Sequence, residues 1–229
     1  MKIKILKIDM KFEEFYSKYF GEEKGDFYKL SKEGYLHMKK SVDPLHDNTH
    51  IENLLGLLNN FLIKNKKIKK KLNLEALFLS ICWHDTWKSK RNPKSIAGII
   101  YGQTVEGILS AKLLKKASKK YLVDKNIVDS AAYAIRKHNT LQFTKRKTLE
   151  AKLLKDIDKL DAFNYERFVY AKEQNFNFHK RRHFFLLNFY MTKISRDTFN
   201  FSWTKDILKL RRKNFVENFK KELNKFSKK

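Results

Sequence analysis

Apolar residues recur at intervals of three and four along most of the chain, the period of a helix that buries one face. In "NLEALFLSICWHD" (73–85), Leu74, Leu77, Phe78 and Ile81 keep that interval, and the next turn of the stripe lands on His84 and Asp85. In "THIENLLGLLNNFL" (49–62), Thr49 and Glu52 have the spacing of a capping box, and His50 opens the stripe Ile51, Leu54, Leu55, Leu58. "DKNIVDSAAYAIRKHN" (124–139) begins with Asp124, a capping residue type, and its stripe Ile127, Ala131, Ala134, Ile135 leads to His138. In "TLEAKLLKDIDKLDAF" (148–163), Leu154 and Ile157 are followed on the same side by Asp158 and Asp161.

The same period predicts helices over about 11–20, 27–40, 49–64, 73–87, 102–120, 125–139, 148–161, 164–177, 180–195 and 205–227. One run, "IKILKI", alternates as a short strand would. Seven Gly and two Pro leave few breaks, and no repeat or low-complexity linker divides the chain. The expectation is an all-α protein with 1–229 as a single helical domain.

Composition limits the chemistry. With 42% hydrophobic residues and 19 Phe, 229 residues can fill a sizeable core. The single cysteine, Cys82, excludes an intrachain disulfide, and no early stretch has the uncharged apolar centre of a signal peptide or membrane span. A soluble, cytoplasmic protein with no membrane partner is the expectation. A net charge of +26 favours anionic partners such as nucleotides or nucleic acid. Lysine also comes with abundant Asn, Ile and Phe, so compositional drift on a solvated surface accounts for the excess equally well. "KNKKIKKK" (64–71) and "KLLKKASKK" (112–120) read as helix ends and exposed faces without the aromatic interleaving of a single-strand groove.

One histidine on an apolar stripe is ordinarily a core group with its hydrogen bonds satisfied, and an aspartate at a helix start, such as Asp47 or Asp124, is ordinarily a cap. Several together are different. An ionised carboxylate on a buried face needs a counter-charge or a metal. His50, the pair His84 and Asp85, and Asp158 come from three helices and can converge on one cation. Imidazole and carboxylate in that mixture suit Mn, Fe, Co, Ni, Zn or Mg, with positions left for water and substrate.

The ordered set of "HDNTH" with His50, "WHD" with His84 and Asp85, "KHN" with His138 and "DIDKLDA" with Asp158 resembles the HD-domain superfamily of metal-dependent phosphohydrolases over about residues 40–165. Within it, the third motif and the C-terminal "KLRRKNFVENFKKEL" look like the single-metal bacterial subgroup. The resemblance implies an HD-like helical bundle, with C-terminal helices of about 166–229 packed on it as an extension. It implies His50, His84, Asp85 and Asp158 as metal ligands, and Lys88 as a group that holds a phosphate oxygen. Here the motif is "HDTWK", so Trp87 stands where glycine is usual, either as a wall for a nucleobase or as a packing residue. Two-metal members place further histidines between the HD pair and the last aspartate. This chain has only His138 there, with Gln103 and Glu106 where an extra histidine would stand, so one metal is expected.

The expected reaction is hydrolysis of a phosphate ester or anhydride, of a nucleotide above all, by metal-activated water. Asp161, or Glu106, orients the water, while His138 and Lys88 stabilise charge on the phosphate or protonate the leaving oxygen. A metal-dependent nuclease acting on single strands is the enzyme alternative. From a different class comes a non-enzymatic basic helical module for RNA, with Phe215, Phe219, Leu223 and Phe226 as an apolar stripe among lysines. The aromatic run "HFFLLNFYMTKI" (183–194) is compatible with a homodimer.

Overall fold

A computed structural model of the chain describes residues 9–43, 46–91, 96–139, 145–166, 169 and 199–226. Among the described residues every regular element is helical. The elements are α1 (Phe12–Phe20), α2 (Asp26–Lys39), α3 (Asn48–Lys64), α4 (Lys66–Lys69) and α5 (Leu74–Trp83). A single 3₁₀ turn, Lys88–Lys90, then precedes α6 (Ile96–Ser118), α7 (Lys125–Lys137), α8 (Leu149–Asp161) and α9 (Ser202–Phe226). The expected strand, the helix over 180–195, the run 183–194 and most of the helix over 164–177 lie outside the described residues. No described helix is long and apolar enough to cross a membrane.

The chain forms two compact units, residues 1–157 and 158–229. In the first, α5 is the central element: it packs against α2, α3 and α7, while α6 lies along α7. Along it Leu77, Phe78, Leu79 and Ile81 are fully buried. Two glycines set the distances between helices. A Cβ on Gly34 of α2 would stand 2.6 Å from the Trp83 indole nitrogen, and one on Gly107 of α6 would stand 2.7 Å from the Ile135 carbonyl oxygen of α7. Only a bare backbone lets these pairs approach so closely.

Caps fix the helix starts. Asp47 Oδ1 accepts from the Thr49 and His50 N–H groups at the head of α3, and Asp124 Oδ1 accepts from the Asn126 N–H at the head of α7. The capping box expected from Thr49 and Glu52 is not formed. Thr49 donates its hydroxyl to Asp47, and Glu52 turns into the core, where it accepts from Tyr35 Oη and Lys11 Nζ, each at 2.7 Å.

Two boundaries differ from expectation. The helix predicted to reach residue 87 stops at Trp83, and residues 84–87 form turns. The Thr86 hydroxyl donates to the Trp83 carbonyl and the Ser89 hydroxyl to the Thr86 carbonyl, local bonds that compete with helix continuation. Conversely α6 begins at Ile96, ahead of the expected 102, and runs through Gly98 and Gly102 despite their low helix propensity.

The second unit holds α9, whose Phe215 is buried against the edges of Phe163 and Tyr165. Arg211 donates to the Leu160 carbonyl at 2.7 Å, and the Lys159 ammonium lies 5.5 Å from the centre of the Phe199 ring. The side chains of Phe219, Leu223 and Phe226 lie outside the described residues.

Candidate metal centre

The first unit brings the buried His50, His84, Asp85, Glu106 and His138 into one cluster, with the partly exposed Lys88 beside them. Each is delivered by a helix end or a close helix contact. His50 sits in the first turn of α3, held by its N–H bond to the Asp47 cap. His84 directly follows α5, and His138 directly follows α7. Both use the same device. The last carbonyls of a helix lack intrahelical partners, and here each takes an imidazole N–H: His84 Nδ1–H donates to the Ile81 carbonyl at 2.9 Å and His138 Nδ1–H to the Ile135 carbonyl at 2.6 Å. A carbonyl only accepts, so both protons are on Nδ1, and both Nε2 atoms present a lone pair.

His84 Nε2 meets His50 Nε2 at 3.0 Å, hydrogen-bond distance, so that the His84 lone pair accepts from His50 Nε2–H, a proton that a metal ion would replace. Asp85 Oδ2 completes a triangle, 3.4 Å from His84 Nε2 and 3.8 Å from His50 Nε2. A triangle with sides of 3.0, 3.4 and 3.8 Å has a circumradius of about 2.0 Å, the ordinary length of a bond from imidazole or carboxylate to a first-row divalent metal. A point at bonding distance from all three donors therefore exists without any atom moving. The residues fit a transition metal.

The other Asp85 oxygen faces elsewhere. Oδ1 is buried without a hydrogen-bond partner among the described residues and lies 3.7 Å from His138 Nε2, which is itself 3.7 Å from Glu106 Oε1. Asp85, Glu106 and His138 thus form a second donor group that shares Asp85 with the first. Glu106 reaches it because Gly107 lets α6 touch the end of α7, and Asn139 Nδ2 steadies it by donating to Glu106 Oε1 at 2.7 Å and to the Gln103 carbonyl. Arg146 seals that helix end, donating to the carbonyls of Lys137 and Asn139.

Lys88 enters from the 3₁₀ turn. Its ammonium pairs with Glu106 Oε2 at 2.7 Å and donates to His46 Nε2 at 3.1 Å, and His46 Nδ1–H donates to Asp43 Oδ2 at 2.7 Å. Burial by itself would lower the Lys88 ammonium, but Glu106 and Asp85 outweigh it and push it above the ordinary lysine value. Burial would raise the Asp85 carboxyl, yet Lys88, together with His84 and His46, holds it well below the usual carboxylate range. Asp85 is therefore an anion at 2% exposure, the state in which a carboxylate ligates a metal.

Of the residues expected from the sequence, His50, His84 and Asp85 meet as donors, with Lys88, Glu106 and His138 beside them. Asp158 and Asp161 are on the last turn of α8 and belong to the second unit, where the Asp161 carbonyl accepts from the Asn164 N–H. Trp87 packs on α6: its ring lies 4.0 Å from where a Gly102 Cβ would be, under the Arg91 guanidinium at 4.3 Å, and its backbone N–H donates to Ser110 Oγ. Sequence reasoning missed His46 with Asp43, and Asn139. The one available signal was His46 standing four residues before His50 in "HDNTH", without a helical stripe to point it inward. Comparison with protein-family models, curated proteins and solved structures finds no match to the chain.

Proposed function

We propose that this chain is a metal-dependent phosphohydrolase of the HD-domain kind, acting on a phosphate ester or anhydride of a nucleotide. The observation that carries the reading is the His50, His84 and Asp85 triangle, whose circumradius of about 2.0 Å matches a metal–ligand bond, with the His84 tautomer already set for ligation. The ordered motifs of the sequence and the +26 charge, which suits an anionic substrate, add support.

In this reading His50, His84 and Asp85 hold one divalent cation, and Asp158 is a fourth ligand on the strength of the sequence resemblance alone. When bound, the cation supplies Lewis acidity, which makes a coordinated water acidic and polarises a phosphoryl oxygen. Lys88 provides a permanent positive charge for a second phosphoryl oxygen, kept in place by Glu106 and His46. His138 and Glu106 flank Asp85 Oδ1, close enough to orient a water or pass a proton to the leaving oxygen. Asp161 keeps the water-orienting role assigned from its motif.

Elemental analysis of the unchelated protein, with a phosphate-release screen of nucleotides against Mn, Co, Ni, Mg and Zn added singly, tests this. The expected result is near-stoichiometric transition metal and metal-dependent phosphate release, both lost in His84→Ala. No retained metal and no release with any of the five would discard the hydrolase and turn attention to RNA binding.

A further inference from the structure

Asp85 is shared by two donor groups, yet the chain places a cation of its own beside the second. Asp85 Oδ1, Glu106 Oε1 and the Nε2 lone pair of His138 converge there, all on residues no more than 3% exposed. Asp85 Oδ1 has no hydrogen-bond donor among the described residues. Such a set would ordinarily draw a metal ion, because buried carboxylates need a counter-charge. Here the Lys88 ammonium reaches Glu106 Oε2 at 2.7 Å, anchored on its other side by His46 Nε2 at 3.1 Å, which is in turn oriented by Asp43.

We propose that Lys88 stands in for a second metal ion: its ammonium occupies Glu106 and keeps a second divalent cation out of the Asp85, Glu106 and His138 group. The contact with Glu106 argues for substitution rather than coexistence. A dication bound through Glu106 would share that carboxylate with an ammonium already in contact with it, and like charges at that range repel strongly in a buried site. His46 accepts from Lys88 on the other side and so holds the ammonium against Glu106. A covalently attached charge gives the phosphoryl group one exchangeable cation and one permanent one, set side by side.

The inference rests on the metal reading of the first donor group. Its test counts metal rather than activity. Wild type, Lys88→Met, Lys88→Gln and Lys88→Arg would each be loaded with Mn²⁺, desalted, checked for helical circular dichroism, counted by elemental analysis and examined by EPR.

The expected result is one Mn²⁺ per chain with an isolated-ion spectrum for wild type and Lys88→Arg. Lys88→Met or Lys88→Gln, whichever is recovered folded, should take up two, with the spin coupling of ions bridged by Asp85. A further Glu106→Gln change should return the stoichiometry to one. A single equivalent in a folded neutral variant overturns the proposal, as do two equivalents in wild type, which also removes dependence on recovering a folded variant. No metal in wild type is a distinct outcome: it rejects the metal reading itself, and this inference with it.

Discussion

At Phe78 and at His84, six residues apart on one stretch of chain and about 9 Å along a helix axis, the protein surrounds a buried group in opposite ways. Phe78 is packed among the rings of Phe12, Phe15, Tyr16, Phe20 and Phe27, with centroids 5.2 to 6.2 Å away and Phe15 parallel to it. His84 is enclosed by His50 and His138, with Asp85 next to it in the chain. The aromatic end is held by many small, non-directional contacts that add up. The polar end is held by a few directional contacts, and its anions and lone pairs are balanced only when positive charge is present. The first arrangement stabilises the fold; the second leaves donors that could hold a metal ion.

Predictions that separate the two ends run from large to small. Asp85→Ala removes the one group shared by both donor sets, so metal affinity should fall by more than ~100-fold, beyond the range seen when outer-shell partners are lost. Isothermal titration with Mn²⁺ measures it, and an unchanged affinity would break the comparison at its polar end. Phe78→Ala should cost about 3–5 kcal/mol of stability, roughly a 10 °C lower Tm, by emptying a ring-sized space. The variant should still bind metal and still gain about 2.7 kcal/mol at a metal concentration 100 times Kd. His84→Ala should keep most of the fold and lose that gain; thermal scans with and without metal read both.

Gly107→Ala tests the backbone contact that brings Glu106 to the site. The added methyl meets the Ile135 carbonyl, so α6 must move, at about 1–3 kcal/mol by thermal unfolding. The smallest effect belongs to the surface. Asp129, between Lys115 and Lys125, has its carboxyl lowered from 3.8 to about 2. A depressed folded-state value stabilises above the unfolded value and loses that contribution as pH falls, so wild type should exceed Asp129→Asn slightly at pH 5–7. The two melting curves should converge between about pH 4 and pH 2. A gap that persisted at pH 2 would mean that the aspartate acts by something other than charge.

The helices were legible because their evidence is local. The 3.6-residue stripes through Leu77 and Ile81, or Ala131 and Ile135, mark buried faces from sequence alone, and Asp47 and Asp124 cap where their residue type predicts. His50, His84 and His138 were found because each lies at the end of such a stripe. Where two local rules competed, pattern reading failed. Thr49 and Glu52 had capping spacing, but Glu52 found Tyr35 and Lys11, partners 17 and 41 residues away. The stripe through Ile81 continued in sequence to residue 85, while hydroxyl-to-carbonyl bonds ended the helix at Trp83.

Periodicity describes one helix at a time, so the sequence by itself determined that the described residues are helical, their principal buried faces, and which histidines and aspartates stand at their ends. Its ordered motifs also led to the expectation of a metal. Only the tertiary structure decided that Asp85 turns its two oxygens to different donor groups, that Glu106 is drawn in across Gly107, and that His46 and Lys88 link Asp43 to that carboxylate. The reason is physical. A ligand set is defined by distances of 3 to 4 Å between atoms from segments tens of residues apart, and those distances follow from how closely helices pack, which no local period encodes.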